Sequence, residues 1–521
     1  MQVMKRRTKL PSQSPARQST ALRRTACFTL AYALVITVCP ALDLARATAT
    51  ERRPPNIVLI MTDNHGAWTL GCYGNPEIRT PHIDRLAESG AKFNHVYANN
   101  GVCSPTRASF LTGLMPSQHG VHRFIAANVM TGERAYNTIE EFKSLPDIFS
   151  QQGYSCGLVG KWHLGDHLHP QEGFSSWITK RGGHTPSFYN DEIIQDGKRR
   201  REPGHLTPFW TRHAKKFIHE NKDRPFFLFL AYNGPYSLGT AILPEPKNRH
   251  AAYYSKLPMN SFPRAEMHPW MWSRWQKPHL NNITSMRNTA SQISLIDDGV
   301  GEITRTLAEH GLEENTLVIF TADQGFAGGH GGFWGMGDHT RPLTAREECM
   351  HIPLIMRHSG RIEAGTTFDQ NLANYDVYPS LLHYLGLADQ IPENPPRPGR
   401  NFAPLLANQS VAWDDTVFYE LENVRVIRSK GWKYIERIGD PRHELYDLTN
   451  DAGESQNLYA DRRYAKQRQD LQNRLRAFFE RYSTPRWNLW TGGAAKGGLL
   501  LGTDPYQDRV SKTTATERSL R

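Results

Sequence analysis

Four short stretches carry residue types able to hold a cation or an oxyanion. Asp63-Asn64 and Asp323-Gln324 each set a carboxylate beside an amide, the oxygen ligands a hard divalent cation takes. Each pair closes an apolar, β-branched run, residues 56–61 and 316–321. Two such strand ends converge on one ion if they leave the same carboxyl edge of a sheet, where ligand sites of open α/β sheets form. The third stretch is Cys103-Ser104-Pro105-Thr106-Arg107, continued to Leu111-Thr112-Gly113. If it is helical, Arg107 falls one turn beyond Cys103 and points back at the same centre. Taken alone, Cys103 reads as well as a structural or disulfide cysteine in a loop-to-helix turn. The fourth is Gly160-Lys161-Trp162-His163-Leu164-Gly165. Its flanking glycines permit an extended backbone that sends Lys161 and His163 to one side.

The cysteine segment resembles the signature of type I sulfatases, members of the alkaline phosphatase superfamily: Cys-x-Pro-x-Arg followed by Leu-Thr-Gly. The resemblance runs from about residue 54 to 460. It includes the Gly-Lys-Trp-His-Leu-Gly segment and a C-terminal stretch around Glu444-Leu445-Tyr446-Asp447-Leu448 and Asp451-Ala452-Gly453-Glu454. It implies that a formylglycine-generating enzyme oxidises Cys103 to formylglycine (3-oxoalanine), whose hydrate attacks sulfur. It implies a calcium ion, with magnesium as the other hard-cation choice, held by Asp63, Asn64, Asp323, Gln324 and the modified Cys103. Arg107 then binds the hydrate and the metal carboxylates, Lys161 binds sulfuryl oxygens, and His163 hydrogen-bonds the hydrate. Three positions depart from the pattern. Asn64 replaces an aspartate, Tyr236 stands where a histidine is usual, and Met336 stands where a lysine is expected. Methionine offers no cation and no proton. His339 is therefore read as the general acid and Arg341 as the replacement charge, with Tyr236 and His330 as further substrate contacts.

These residues need a scaffold. Apolar runs at 56–61, 225–232 and 316–321, alternating with helical patterns at 83–90 and 293–307, predict an α/β fold with a large, mainly parallel sheet flanked by helices. After the Pro-rich connector 391–399, short alternating stretches predict a smaller antiparallel sheet, and Tyr464, Leu471, Leu475, Phe478 and Tyr482 predict a helix packed on it. The resulting division is a signal peptide at 1–49, a catalytic domain at 50–390, a C-terminal subdomain at 400–490 and a flexible tail at 491–521. An insertion at about 244–280, rich in aromatic and basic residues, reads either as a sugar-stacking surface or as a packing loop.

Composition agrees with a globular chain: 521 residues, 39% hydrophobic and 10% aromatic. Of the net charge of +11, seven units belong to residues 1–49, with eight Lys/Arg against Asp43. The basic balance is thus weak support for nucleic-acid binding. The same segment has a basic start with an Arg23-Arg24 pair, an apolar run at 26–39 and Ala45, Ala47 and Ala49. That is the pattern of an export signal, so a periplasmic or extracellular enzyme without a stable membrane anchor is expected. Four cysteines would remain, too few for a disulfide framework. A sulfated saccharide is the expected substrate. The alternatives are a phosphonate monoester or phosphodiester hydrolase of the superfamily, or a non-catalytic sulfated-glycan-binding protein.

Overall fold

The apolar runs become the centre of a ten-stranded sheet. The computed structural model describes residues 53–133, 135–243 and 248–497. The expected signal segment and residues 498–521 lie outside them. Strands β1 (Asn56–Asp63), β2 (Ala91–Tyr97), β3 (Ser155–Gly160), β4 (Ser176–Lys180), β5 (Tyr189–Gln195), β6 (Lys198–His205), β7 (Phe226–Pro235), β8 (Thr316–Ala322), β9 (His351–Arg357) and β10 (Thr366–Ala373) pair in the order β10-β2-β9-β8-β1-β7-β3-β4-β5-β6. The central run β8-β1-β7-β3-β4 is parallel. Strand β9 and the β5–β6 hairpin run antiparallel to their neighbours. Strands β1, β7 and β8 are buried along their whole length, as strands covered on both faces must be.

Helices Leu206–Asn221 and Ile283–Glu309 pack together on one face of this sheet. The second starts ten residues earlier than periodicity suggests. Asn282 caps it, accepting from the Thr284 and Ser285 amides at 3.0 and 3.2 Å, and its early turns bury Ser285, Asn288 and Thr289. Helix Cys103–Thr112 is buried throughout and ends at Gly113.

The smaller sheet is β11 (Thr416–Leu421), β12 (Val424–Ser429), β13 (Trp432–Arg437) and β14 (Glu444–Asp447), antiparallel in that order. Helix Ala465–Arg481 buries Leu471, Leu475 and Phe479 against it. This layer is bonded to the segment around Cys103: the Glu420 amide donates to Asn99 O at 2.8 Å, and Glu420 Oε2 accepts from the Ser117 amide at 2.7 Å. Residues 492–497, expected to begin a mobile tail, are tied down instead. Lys496 is buried, its amide donating to Gly120 O and its Nζ to Thr138 O, each at 2.8 Å.

Candidate active site

Register brings the two metal-type pairs together. Thr62 of β1 lies opposite Ala322 of β8 in a parallel pair, so Asp63 and Asp323 leave the sheet side by side at its carboxyl edge. Asn64 adopts a left-handed backbone, φ 57°, which asparagine tolerates, and its amide donates to Asp323 Oδ1 at 3.1 Å. Cys103 opens its helix directly above. Its Sγ lies 3.3 Å from Asp63 Oδ1 and accepts from Gln324 Nε2 at 3.1 Å. Gln324 Nε2 also meets Asn64 Oδ1.

Two cations neutralise the two carboxylates. Lys161 Nζ donates to Asp63 Oδ2 at 2.6 Å, and Arg107 Nε and Nη2 reach Asp323 Oδ2 at 3.0 and 2.8 Å. All four side chains are fully buried. Arg107 Nη1 further donates to Lys161 O at 2.7 Å, which fixes the two cations relative to each other. Gly160 makes this possible. Its φ is 117°, and a Cβ there would lie 1.9 Å from Ala231 O, so only glycine lets β3 deliver Lys161 beside β7.

Burial dominates the electrostatics. It raises the Asp323 carboxyl together with neighbouring Asp63, against the pull of Arg107 and Lys161. It raises the Cys103 thiol well above its usual value, again with Asp63. The oxygen-rich donor set fits a hard divalent cation. Asp63, Cys103 and Asp323 offer ligand atoms within 4.8 Å of one another, and the buried Gln324 Oε1 has no partner in the protein. With two carboxylates balanced by two cations, a divalent ion bound there would leave the cluster a surplus charge of +2.

Above the cage opens a cavity of about 700 Å³, whose lining includes Cys103, His163, His184, Tyr236, Met336 and His339. His163 has φ 64° and contacts Ile125 O at 3.3 Å through Nε2, leaving Nδ1 without a partner. Burial, then Lys161 and Arg107, push its pKa far down. Tyr236 contacts His184 Nδ1 at 2.7 Å. Burial with Lys180 and Lys161 brings His184 down to about 4. His339 Nδ1 accepts the Met336 amide at 3.2 Å, and its Nε2 lies 3.8 Å from Asp338 Oδ1.

The sulfatase family model matches residues 55–387, and a model for the C-terminal region of N-sulphoglucosamine sulphohydrolase matches residues 338–481. An N-acetylglucosamine-6-O-sulfatase of Bacteroides thetaiotaomicron is 25% identical, covering 83% of this chain and 87% of that protein. The N-acetylgalactosamine-6-sulfatase of Rattus norvegicus is 31% identical over 70% of this chain and 68% of its own. A solved structure in complex with its substrate D-glucosamine-2-N,6-O-disulfate aligns with a TM-score of 0.66 at 25% identity, covering 82% of this chain and 98% of that one. The chain belongs to the sulfatase family.

The sulfatase thus assembles Asp63, Asn64, Cys103, Arg107, Lys161, His163, Asp323 and Gln324 around one point. Tyr236 and His339 stand on the cavity wall, and so does Met336. Two other expected contacts are not brought there. Arg341 turns away, its Nη1 donating to Asp338 O and Thr340 O at 2.9 and 2.6 Å and its guanidinium over the Trp272 ring at 4.6 Å. His330 contacts Ala327 O at 2.7 Å through Nδ1 and packs on Trp68. Nearness in sequence to Met336 is an uneven guide here: it holds for His339, which lines the cavity, and fails for His330 and Arg341, which do not. His184 is one wall residue that sequence reasoning missed. The signal for it was the Gly182-Gly183 pair just after β4, which parallels the glycines around Lys161 and His163. Gly183 lies so close to His163 that a Cβ would sit 1.9 Å from Nε2.

Proposed function

We propose that this sulfatase hydrolyses the 6-O-sulfate ester of a sulfated hexosamine, in a glycosaminoglycan or one of its fragments. The observation that carries the proposal is the buried Asp63–Cys103–Asp323 cluster, charge-balanced by Lys161 and Arg107 at the floor of a sugar-sized cavity. The choice of sugar is supported by two relatives named for 6-sulfated N-acetylhexosamines and by a structural relative bound to a 6-O-sulfated glucosamine.

In this reading, Asp63, Asn64, Asp323 and Gln324 would hold calcium (or magnesium), which when bound would polarise the sulfuryl oxygens, and formylglycine formed from Cys103 would supply a hydrated aldehyde as nucleophile. The chain's own groups do the rest. Lys161, its ammonium fixed by Asp63, faces a sulfuryl oxygen. Arg107 orients Asp323 and, through the Lys161 carbonyl, the lysine backbone. His163 Nδ1 is the unpartnered atom placed to accept a proton at position 103, since its Nε2 is engaged by Ile125 O. His339 accepts at Nδ1, so its neutral ring carries a proton on Nε2 and offers it as a hydrogen bond to the leaving oxygen, whose own proton comes from solvent water. Tyr236, bonded to His184, binds the departing sugar where the family pattern has a histidine. Export belongs to the same reading and rests on the N-terminal pattern. Among the described residues no helix is long and apolar enough to cross a membrane.

The test has two parts. Mass spectrometry of the Cys103 peptide, from protein co-expressed with a formylglycine-generating enzyme, should show the thiol-to-aldehyde mass change. That protein should release sulfate from N-acetylglucosamine-6-sulfate, and a Cys103→Ala enzyme should not. Aldehyde-bearing protein that releases no sulfate from any 6-sulfated hexosamine refutes the proposal.

A further inference from the structure

Four large hydrophobic side chains are exposed among the described residues: Phe124 at 37%, Met267 at 40%, Trp272 at 58% and Trp275 at 61%. They are not scattered. Phe124 lines the cavity. The other three lie on a single segment, 267–275, fastened to the cavity wall. The Trp272 and Ser273 amides donate to His339 O at 3.2 and 3.1 Å, Met271 bridges Thr340, and Gln276 is itself a lining residue. Other aromatics of the insertion, Tyr254 and Phe262, are core residues. Exposed apolar side chains gathered at one opening mark a contact surface.

The three rings share a second feature. Each carries an arginine: Arg123 over Phe124 at 4.2 Å, Arg341 over Trp272 at 4.6 Å and Arg274 over Trp275 at 4.9 Å. Arginine stacked on an aromatic ring keeps its edge donors directed sideways, the geometry that takes sulfate or carboxylate bidentately. Arg274 has no ion-pair partner among the described residues. Arg123 is buried and paired with Asp338 and Glu422, so the edges that remain at the rim are those of Arg274 and Arg341 beside Trp275 and Trp272; such faces and edges suit a ring with an apolar C–H face and anionic substituents.

We propose that this rim is a second subsite, in which Trp272 and Trp275 with their arginines bind the sugar unit adjoining the one that carries the scissile sulfate. The ligand is therefore a sulfated oligosaccharide of two or more units rather than a lone monosaccharide. The inference rests on the proposed saccharide sulfatase activity. It also explains why Arg341 turns from the cavity: its charge serves the neighbouring sugar.

The test compares wild type with a Trp272→Ala/Trp275→Ala variant, both aldehyde-bearing, on N-acetylglucosamine-6-sulfate and on a 6-sulfated tetrasaccharide from heparin. Wild type should favour the tetrasaccharide in kcat/KM by about tenfold or more, a plausible weight for two stacked rings. The variant should keep its monosaccharide rate within about twofold and lose the preference through KM. Arg274→Gln should lose part of it. A variant that keeps the full preference, or a wild type without one, overturns the subsite. If wild type hydrolyses neither compound, the proposed function fails instead. Calorimetric binding of the tetrasaccharide then decides the subsite alone: supported if the variant loses binding, overturned if it does not.

Discussion

Asn64→Asp restores the family's usual carboxylate and tests whether position 64 faces a cation. Both residues tolerate the left-handed backbone at φ 57°, so the change is electrostatic. A unit charge facing a divalent ion at about 4 Å and an effective dielectric near 20 gains roughly 8 kcal/mol gross. Desolvating the new carboxylate removes several kcal/mol of that. Losing the Asn64 Nδ2 bond to Tyr236 O, 3.0 Å in the structure, removes about 1 kcal/mol more. A net gain of about 2–3 kcal/mol remains, or roughly 30- to 150-fold tighter calcium binding. Without calcium the sign reverses. The variant gathers a third carboxylate beside Asp63 and Asp323, with only Lys161 and Arg107 to balance them, and should be less stable than chelated wild type. Calorimetric calcium titration reads the first effect, and urea unfolding with and without chelator reads the second. An unchanged calcium affinity together with unchanged chelated stability would show that position 64 does not face the ion, and would refute the cage as described.

Two further perturbations follow from the geometry. In Gly183→Ala the new Cβ, built 1.9 Å from His163 Nε2, must push the imidazole off Ile125 O. Turnover should fall about 100-fold, the scale of a 1 Å misplacement, with an unchanged urea midpoint; normal turnover would remove His163 from the chemistry. Glu172 is buried, and desolvation with neighbouring Asp147 raises it to about 9. Native protein then keeps a proton that unfolded chain releases above about 4.5, so wild type loses stability as pH climbs between those values, by at most about 1.4 kcal/mol per unit. Glu172→Gln should flatten this slope and be more stable than wild type at pH 8 than at pH 5; parallel pH profiles of the urea midpoint would contradict the assignment.

The parts of this molecule that were legible in sequence are those where one physical demand acts alone. Strands β1, β7 and β8 must be apolar on both faces, so they read as uninterrupted runs, and their polar ends announced the ligand edge. The β5–β6 hairpin was missed because one edge of the sheet faces water: Lys198-Arg199-Arg200-Arg201 is exposed and bears no apolar period. The start of helix Ile283–Glu309 was missed for the opposite reason, since its first turns bury polar side chains that hydrogen-bond inward, as Ser285 Oγ does with His279 Nδ1 at 2.9 Å. At the site, Asp63, Cys103, Lys161 and Asp323 follow the same division. Each leaves a regular element at its terminus, where direction is set by the strand or helix behind it. His330 sits among the left-handed glycines 328–332 and Arg341 in the loop beyond them, where no strand or long helix sets direction, and both point elsewhere. What sequence could not supply is the one-to-one register of β1 on β8. Sliding β8 by a single residue would turn Asp323 to the opposite face of the sheet, part it from Arg107 and leave Cys103 beside one carboxylate. The chemistry therefore depends less on the motif around Cys103 than on the apolar side chains of two neighbouring strands, which hold that register in place.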